Sequence, residues 1–153
     1  MSVDVEKVVR ENIDRTVHMS LGTTSDNKPW VSEVHFAYDK DLNLYFRSLA
    51  SRRHSQEMAH NPNVAGNIID KYALGEAVVG VYFEGTAKLL EAGSERNTAF
   101  ECIKARLGAS DEILEEADDR DGHQFYKITV ENWYVFGRFG EASGAKHTLE
   151  WDK

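Results

Sequence analysis

Trp30-Val31-Ser32-Glu33-Val34-His35-Phe36-Ala37-Tyr38-Asp39-Lys40-Asp41-Leu42-Asn43-Leu44-Tyr45-Phe46-Arg47-Ser48 is the stretch from which the fold is read. Trp30, Ser32, Val34, Phe36 and Tyr38 fall on one face, and Val31, Glu33, His35 and Ala37 on the other. That period of two predicts a half-buried strand. Asp39-Lys40-Asp41 reads as a hairpin turn into a second strand over 42–48. Two sequential antiparallel strands are thus in place without a helix between them.

Working outward, 17–23 reads as a strand joined to this hairpin through the polar turn Ser25-Asp26-Asn27-Lys28, with Pro29 closing it. Residues 64–69 and 78–90 follow as strands, and Gly85 inside the longer one predicts a bulge or bend. A last long strand is read over 124–139. Helices are expected over 4–15, over 51–60 with Asn61-Pro62 ending it, from Ser94 through Leu107, and over 111–117. Gly137, Gly140 and Gly144 mark a loop before 147–151. Five or six mostly sequential antiparallel strands with peripheral helices predict a mainly β chain, a small closed or partly closed barrel, within a single domain over 1–153.

The chain has 153 residues, 41% of them hydrophobic and 29% charged, with a formal net charge of −8. That balance argues against a nucleic-acid partner, which requires a basic face. No apolar stretch reaches the length of a membrane span and no leader is visible, so a cytoplasmic location is expected. Cys102 is the only cysteine, which excludes an internal disulfide and reads as an inert thiol. The acidic residues Glu112, Glu115, Glu116, Asp118, Asp119 and Asp121 lack calcium-loop spacing. The six histidines lack zinc-motif spacing, so no metal is expected. No nucleophilic triad is visible and no catalytic residue is assigned. Trp133, Tyr134, Phe136, Phe139 and Trp151 read first as core or interface packing, and second as walls for a planar ligand.

Beyond Phe46, Arg47 and Ser48, the chain runs through Ser51 into Arg52, Arg53 and His54 at the opening of the second helix. Cations there oppose the helix dipole, and a docked anion resolves the conflict. Ser48, Ser51, Arg52 and Arg53 are the candidate phosphate ligands, with Arg47 as a helper. By alternation Arg47 is expected on the face opposite Phe46 and Ser48.

The order of Pro29 through Asp39, Leu44-Tyr45-Phe46, Ser51-Arg52-Arg53-His54, Asn61-Pro62-Asn63-Val64-Ala65 and Val81-Tyr82-Phe83-Glu84-Gly85-Thr86-Ala87 resembles the pyridoxamine 5′-phosphate oxidase-like family of FMN-binding split barrels. The resemblance covers residues 15–90, with the strand around 126–136. It implies a six-stranded antiparallel split β-barrel that forms a homodimer with FMN at the subunit interface. It implies that Val31, Ser32, Glu33 and Val34 run along the flavin ring, that Phe46 and Arg47 follow, and that Ser51-Arg52-Arg53 binds the phosphate. Trp133, Tyr134 and Lys146 are implied as contributions across the interface, and His35 and Lys146 as contacts near the substrate. Members that oxidise pyridoxamine phosphate carry an arginine where this chain has Val31 and a lysine where it has Phe36. The chain is therefore expected to be an FMN-dependent oxidoreductase of another, unidentified small molecule. The alternatives within the same barrel are a flavin-binding or sensing protein without turnover, a deazaflavin binder, and a haem binder with His147 as iron ligand.

Overall fold

In a computed structural model, residues 3–137 and 145–150 are described. Helix α1 (Val5–Asp14) is followed by β1 (His18–Ser25), β2 (Lys28–His35), β3 (Ala37–Tyr38), β4 (Leu44–Leu49), α2 (Arg53–His60) and β5 (Asn63–Ile69). Then come β6 (Gly80–Leu89), α3 (Ser94–Leu107), α4 (Glu112–Glu116), β7 (His123–Gly137) and β8 (Ala145–Thr148).

The strands form one antiparallel sheet in the order β2-β1-β5-β6-β7-β4-β3, with β8 added to β7. The six long strands are those expected of the split barrel; β3 and β8 are short additions. Asp26 and Asn27 both have positive φ, the mark of a primed two-residue turn whose twist matches its strands. β1 and β2 accordingly pair from Ser25↔Lys28 to His18↔His35. The expected bulge falls between Glu84 and Gly85. A side chain at Gly85 would overlap the Thr129 carbonyl, so only glycine fits there.

The strand read over 30–38 is broken in one place. Phe36 still donates its N–H to Val17 O at 2.9 Å, and Ala37 then pairs with Tyr45 of β4. One segment thus serves both ends of the sheet: β2 lies at one end, β3 and β4 at the other, and the sheet curls between them. The concave side holds the main core, including Val9, Ile13, Leu21, Phe46, Ile68, Phe83, Ile128 and Trp133. A second cluster packs α3 and α4 on β3, β4 and β7 through Phe100, Ile103, Ile113, Tyr45 and Phe125. The barrel is split between β2 and β4, because β2 pairs with β1 alone among the described strands.

Candidate functional site

The split opens into a cleft of about 720 Å³. Strand β2 lines it with Trp30, Ser32, Glu33, Val34 and His35, and β4 with Arg47 and Ser48. The start of α2 adds Arg52, Arg53 and His54; Ile103, Leu107, Ala109 and His123 complete the wall. Arg47 and Ser48 both border this cleft but from opposite faces of β4, as alternation expects: the Arg47 guanidinium lies over the Phe125 ring in the cluster that holds Tyr45, while Ser48 meets His54 on the side of Phe46.

Helix α2 begins at Arg53 with Arg52 as its N-cap, in extended backbone and without a capping side chain. The N–H groups of Arg53, His54 and Ser55 therefore have no helical acceptor. The two arginines differ in their engagements. The Arg53 guanidinium lies 4.2 Å from the Trp30 ring centroid, and its Nε donates to Glu57 Oε2 at 3.1 Å. Buried Glu57 also accepts from the Thr23 hydroxyl at 2.8 Å, and that bond, followed by Arg53, holds its carboxyl below the ordinary carboxylate range. Arg53 is thereby committed to a clamp joining α2 to β1 and β2. The Arg52 side chain makes no hydrogen bond or ion pair among the described residues.

Two buried side chains stand behind Arg52. Ser48 Oγ and His54 Nε2 are 2.7 Å apart, and both residues are more than nine-tenths buried. Burial, and then the Arg52 charge, lowers the His54 imidazole below its usual value. Nearby, Glu116 pairs with Arg47, accepts the His123 N–H at 2.9 Å and lies 2.7 Å from His123 Nδ1. The backbone bond, the His123 ring and Arg47, in that order, hold the Glu116 carboxyl at about 2. A carboxylate depressed in the folded state adds stability above its unfolded value, and that stability is lost as pH falls through the folded one. Acid unfolding followed by circular dichroism should therefore separate wild type from Glu116→Gln above pH 4.5, with the two curves merging toward pH 2. Curves equally far apart at every pH would contradict this role.

Of the residues singled out in the sequence, Ser32, Glu33, Val34, His35, Arg47, Ser48, Arg52 and Arg53 meet in the cleft. Others, Val31, Phe46, Trp133 and Ser51 among them, do not bring their side chains there, and Tyr134 and Phe136 are also outside the lining. Val31 points outward and is 64% exposed, which leaves only its backbone on the β2 edge. Phe46 is 0% exposed and stacks on Tyr126, with centroids 5.2 Å apart, so it belongs to the core. Trp133 is likewise 0% exposed and packs on Phe83. Exposed Ser51 sits in the turn before α2, outside the cleft lining. On β8 the backbone of Lys146 pairs with Phe136 of β7, and the Lys146 side chain lies outside the described residues. His147 borders a separate hollow with Val3, Asp4, Val5 and Glu6. Phe139 and Trp151 lie outside the described residues. Sequence reading missed Trp30, His54 and His123. His54 had one available signal, an imidazole in the first turn of a helix that follows a strand ending in serine.

The acidic segment does not cover the cleft as a layer of free charge. Glu116 turns in toward Arg47, while Asp118 and Asp111 pair with Arg96 and Lys104. Among the described residues no group of three or more His, Cys, Asp or Glu side chains is arranged to hold a metal ion. No described helix is long and apolar enough to cross a membrane. Cys102 is half-buried, and burial pushes its thiol up, away from the reactive thiolate.

The family profile described as pyridoxamine 5′-phosphate oxidase matches residues 5–137, which takes in every strand bordering the cleft. The chain belongs to the pyridoxamine 5′-phosphate oxidase-like split-barrel family. A UPF0306 protein of Haemophilus ducreyi is 32% identical over 62 residues, 40% of this chain and 42% of the relative. The matched stretch thus spans less than half of that relative's length. A haem-binding protein of Mycobacterium smegmatis superposes with a TM-score of 0.76 at 20% identity, over 97% of this chain and 59% of the other. HutZ, a haem storage protein of Vibrio cholerae, gives 0.65 at 18% identity, over 84% and 92%. At these identities the two structures establish the shared fold.

Proposed function

We propose that this split-barrel chain is an FMN-binding oxidoreductase of a small molecule, with the flavin phosphate at the start of α2 and the ring along β2. The observation that carries the reading is a convergence in one cleft. Unpaired Arg52 and an uncapped helix start lie together, and Ser32 Oγ and Arg47 Nε, both on cleft-lining residues, are buried without a hydrogen-bond partner among the described residues. Buried polar atoms without partners are uncommon in native proteins and call for an explanation. The donors suit a phosphate and polar hydroxyls, the open edge of β2 offers backbone groups to a heterocycle, and Val34, Ile103 and Leu107 supply apolar surface for a flat ring.

When bound, FMN would supply hydride and single-electron transfer, and the protein would orient it and limit access to it. Arg52 would neutralise the phosphate, the Trp30–Arg53–Glu57 clamp would hold α2 at the right distance from β2, and Arg47 would stay anchored by Glu116. We place two copies across the outer sheet face, where the register puts Val31, Ile69 and Phe136 on one side and leaves all three exposed. Apolar groups clustered on one surface favour association.

Arg52→Ala should weaken FMN binding roughly 10-fold to 100-fold, the range of one hydrogen bond to a charged group. Arg120→Ala, an exposed arginine beyond the cleft lining, should leave it unchanged. Quenching of flavin fluorescence measures both, and equal losses in the two variants would refute the phosphate assignment. A second reading, haem, is favoured by the two haem proteins among the structural relatives. His147 borders another hollow, so an iron ligand in this cleft would come from His35, His54 or His123. A Soret band formed with added haemin, together with no response to FMN, would select this reading.

A further inference from the structure

The Ser48–His54 pair has a further consequence for the anion site. A serine hydroxyl has one proton to donate. When His54 Nε2 is unprotonated, Ser48 donates to it across the 2.7 Å contact, and the serine lone pairs are left for the cleft. When Nε2 carries a proton, it donates to Ser48 Oγ, and the hydroxyl proton is free to point at a ligand. A neutral ring with its proton on Nδ1 thus keeps Ser48 as the donor to His54, whereas a ring protonated on both nitrogens leaves the Ser48 hydroxyl proton for the anion. Both residues line the cleft and both are buried, so water does not readily replace either bond.

The charges around His54 set the direction of the coupling. Arg52 and Arg53 lie on its own helix with Glu57; Arg47 lies on β4, Glu33 and His35 on β2, Glu116 on α4 and His123 on β7. Arg53 is balanced by Glu57, and Arg47 by Glu116. Unpaired Arg52 is left as the cation that disfavours a second positive charge on the imidazole. An anion docked on Arg52 cancels that field and adds an attraction of its own.

We propose that Ser48 and His54 act as one unit, so that filling the site with a phosphate monoester draws a proton onto His54 and turns the Ser48 hydroxyl into a donor to the anion. The proposal rests on the reading of this cleft as a phosphate site. It names Ser48 as an affinity-determining donor and His54 as the residue that positions it. The proton comes from solvent and forms an N–H bond on the His54 ring; beyond that transfer only hydrogen bonds are exchanged. A group that gains affinity for a proton in the bound state makes binding tighter at low pH and weaker as pH rises through its bound value.

Calorimetric titration of the full chain with FMN, in two buffers of different ionisation enthalpy, tests this. Wild type should take up a fraction of a proton, up to one, that is missing in His54→Asn. Its FMN affinity should fall roughly three- to ten-fold more than the variant's between about pH 6 and 8. The second ionisation of the FMN phosphate, near pH 6, is common to both proteins and cancels in the comparison. The imidazole ¹⁵N shifts of the wild-type protein, with and without FMN, give the same answer without a substitution that could disturb folding. FMN binding with no proton uptake and an unmoved imidazole titration would overturn the relay while leaving the phosphate site standing. No FMN binding by folded wild type would overturn both.

Discussion

Trp133→Ala is expected to destabilise the protein by about 3–5 kcal/mol, the usual range for emptying a buried aromatic site. Trp133 is fully buried, pairs directly with Phe83 across β6 and β7, and lies 5.7 Å from it between ring centroids. Its carbonyl accepts the Leu149 N–H at 2.8 Å, so the ring stands where the C-terminal segment joins the sheet. Removing the indole opens a void among side chains that cannot all close on it. Trp133→Phe should lose much less, because a ring remains and the indole N–H it removes has no hydrogen-bond partner among the described residues. Urea unfolding measures both variants. The resemblance implied this tryptophan as a cofactor contact, and its burial predicts a different outcome: the folded Trp133→Phe protein should keep wild-type FMN affinity. A large affinity loss with little change in stability would contradict the packing assignment.

Arg106→Ala should cost about 2–4 kcal/mol, through loss of several charge-assisted hydrogen bonds and of ring stacking. Arg106 reaches from the last turn of α3 to the carbonyls of Ile13 and Thr16, and its Nε donates to Phe36 O at 3.2 Å. Its guanidinium also lies 5.1 Å from the Phe36 centroid and 4.9 Å from that of Tyr38. One side chain thus satisfies the end of α1, the approach to β1 and the β2–β3 crossing together. Without it those carbonyls lose their donor in a part-buried place. Arg106→Lys should recover only part of the loss, because a point charge cannot cover three acceptors and stack flat at once. Full recovery by lysine would show that charge, and not the planar fork, matters here.

Much of the barrel is legible in the residues because its determinants are local. Alternation over 30–35 and 44–48, the paired turn residues Asp26 and Asn27, Gly85 at the bulge and Asn61-Pro62 after α2 act within a few positions of themselves. The break at Phe36 is not legible. Phe36 keeps the alternating pattern while the strand changes partners, and a change of partner leaves no trace in a period of two.

The site follows the same division. Arg52 stands out because a cation at a helix start is unfavourable on its own, so sequence position already signals a ligand. Phe46 and Trp133 were candidates because a wall for a flat ligand and a wall of a core use the same residue types. Only the curl of the sheet decides which one a strand face becomes. His54 and His123 acquire their roles from Ser48 and Glu116, six and seven residues away, across turns whose course no helix or strand period fixes. Arg53, which looks identical to Arg52 in sequence, is separated from it by Glu57, one helical turn on, and by Trp30, which folding brings close.

The most direct test of the phosphate site is a comparison of FMN with riboflavin, which has the same ring and ribityl chain but no phosphate. Fluorescence titration of the full chain should show FMN binding roughly 10-fold to 100-fold more tightly than riboflavin. Arg52→Ala should remove most of that difference. Equal affinities for the two flavins in wild type, or a preference for FMN that survives Arg52→Ala intact, would contradict a phosphate seat at the start of α2.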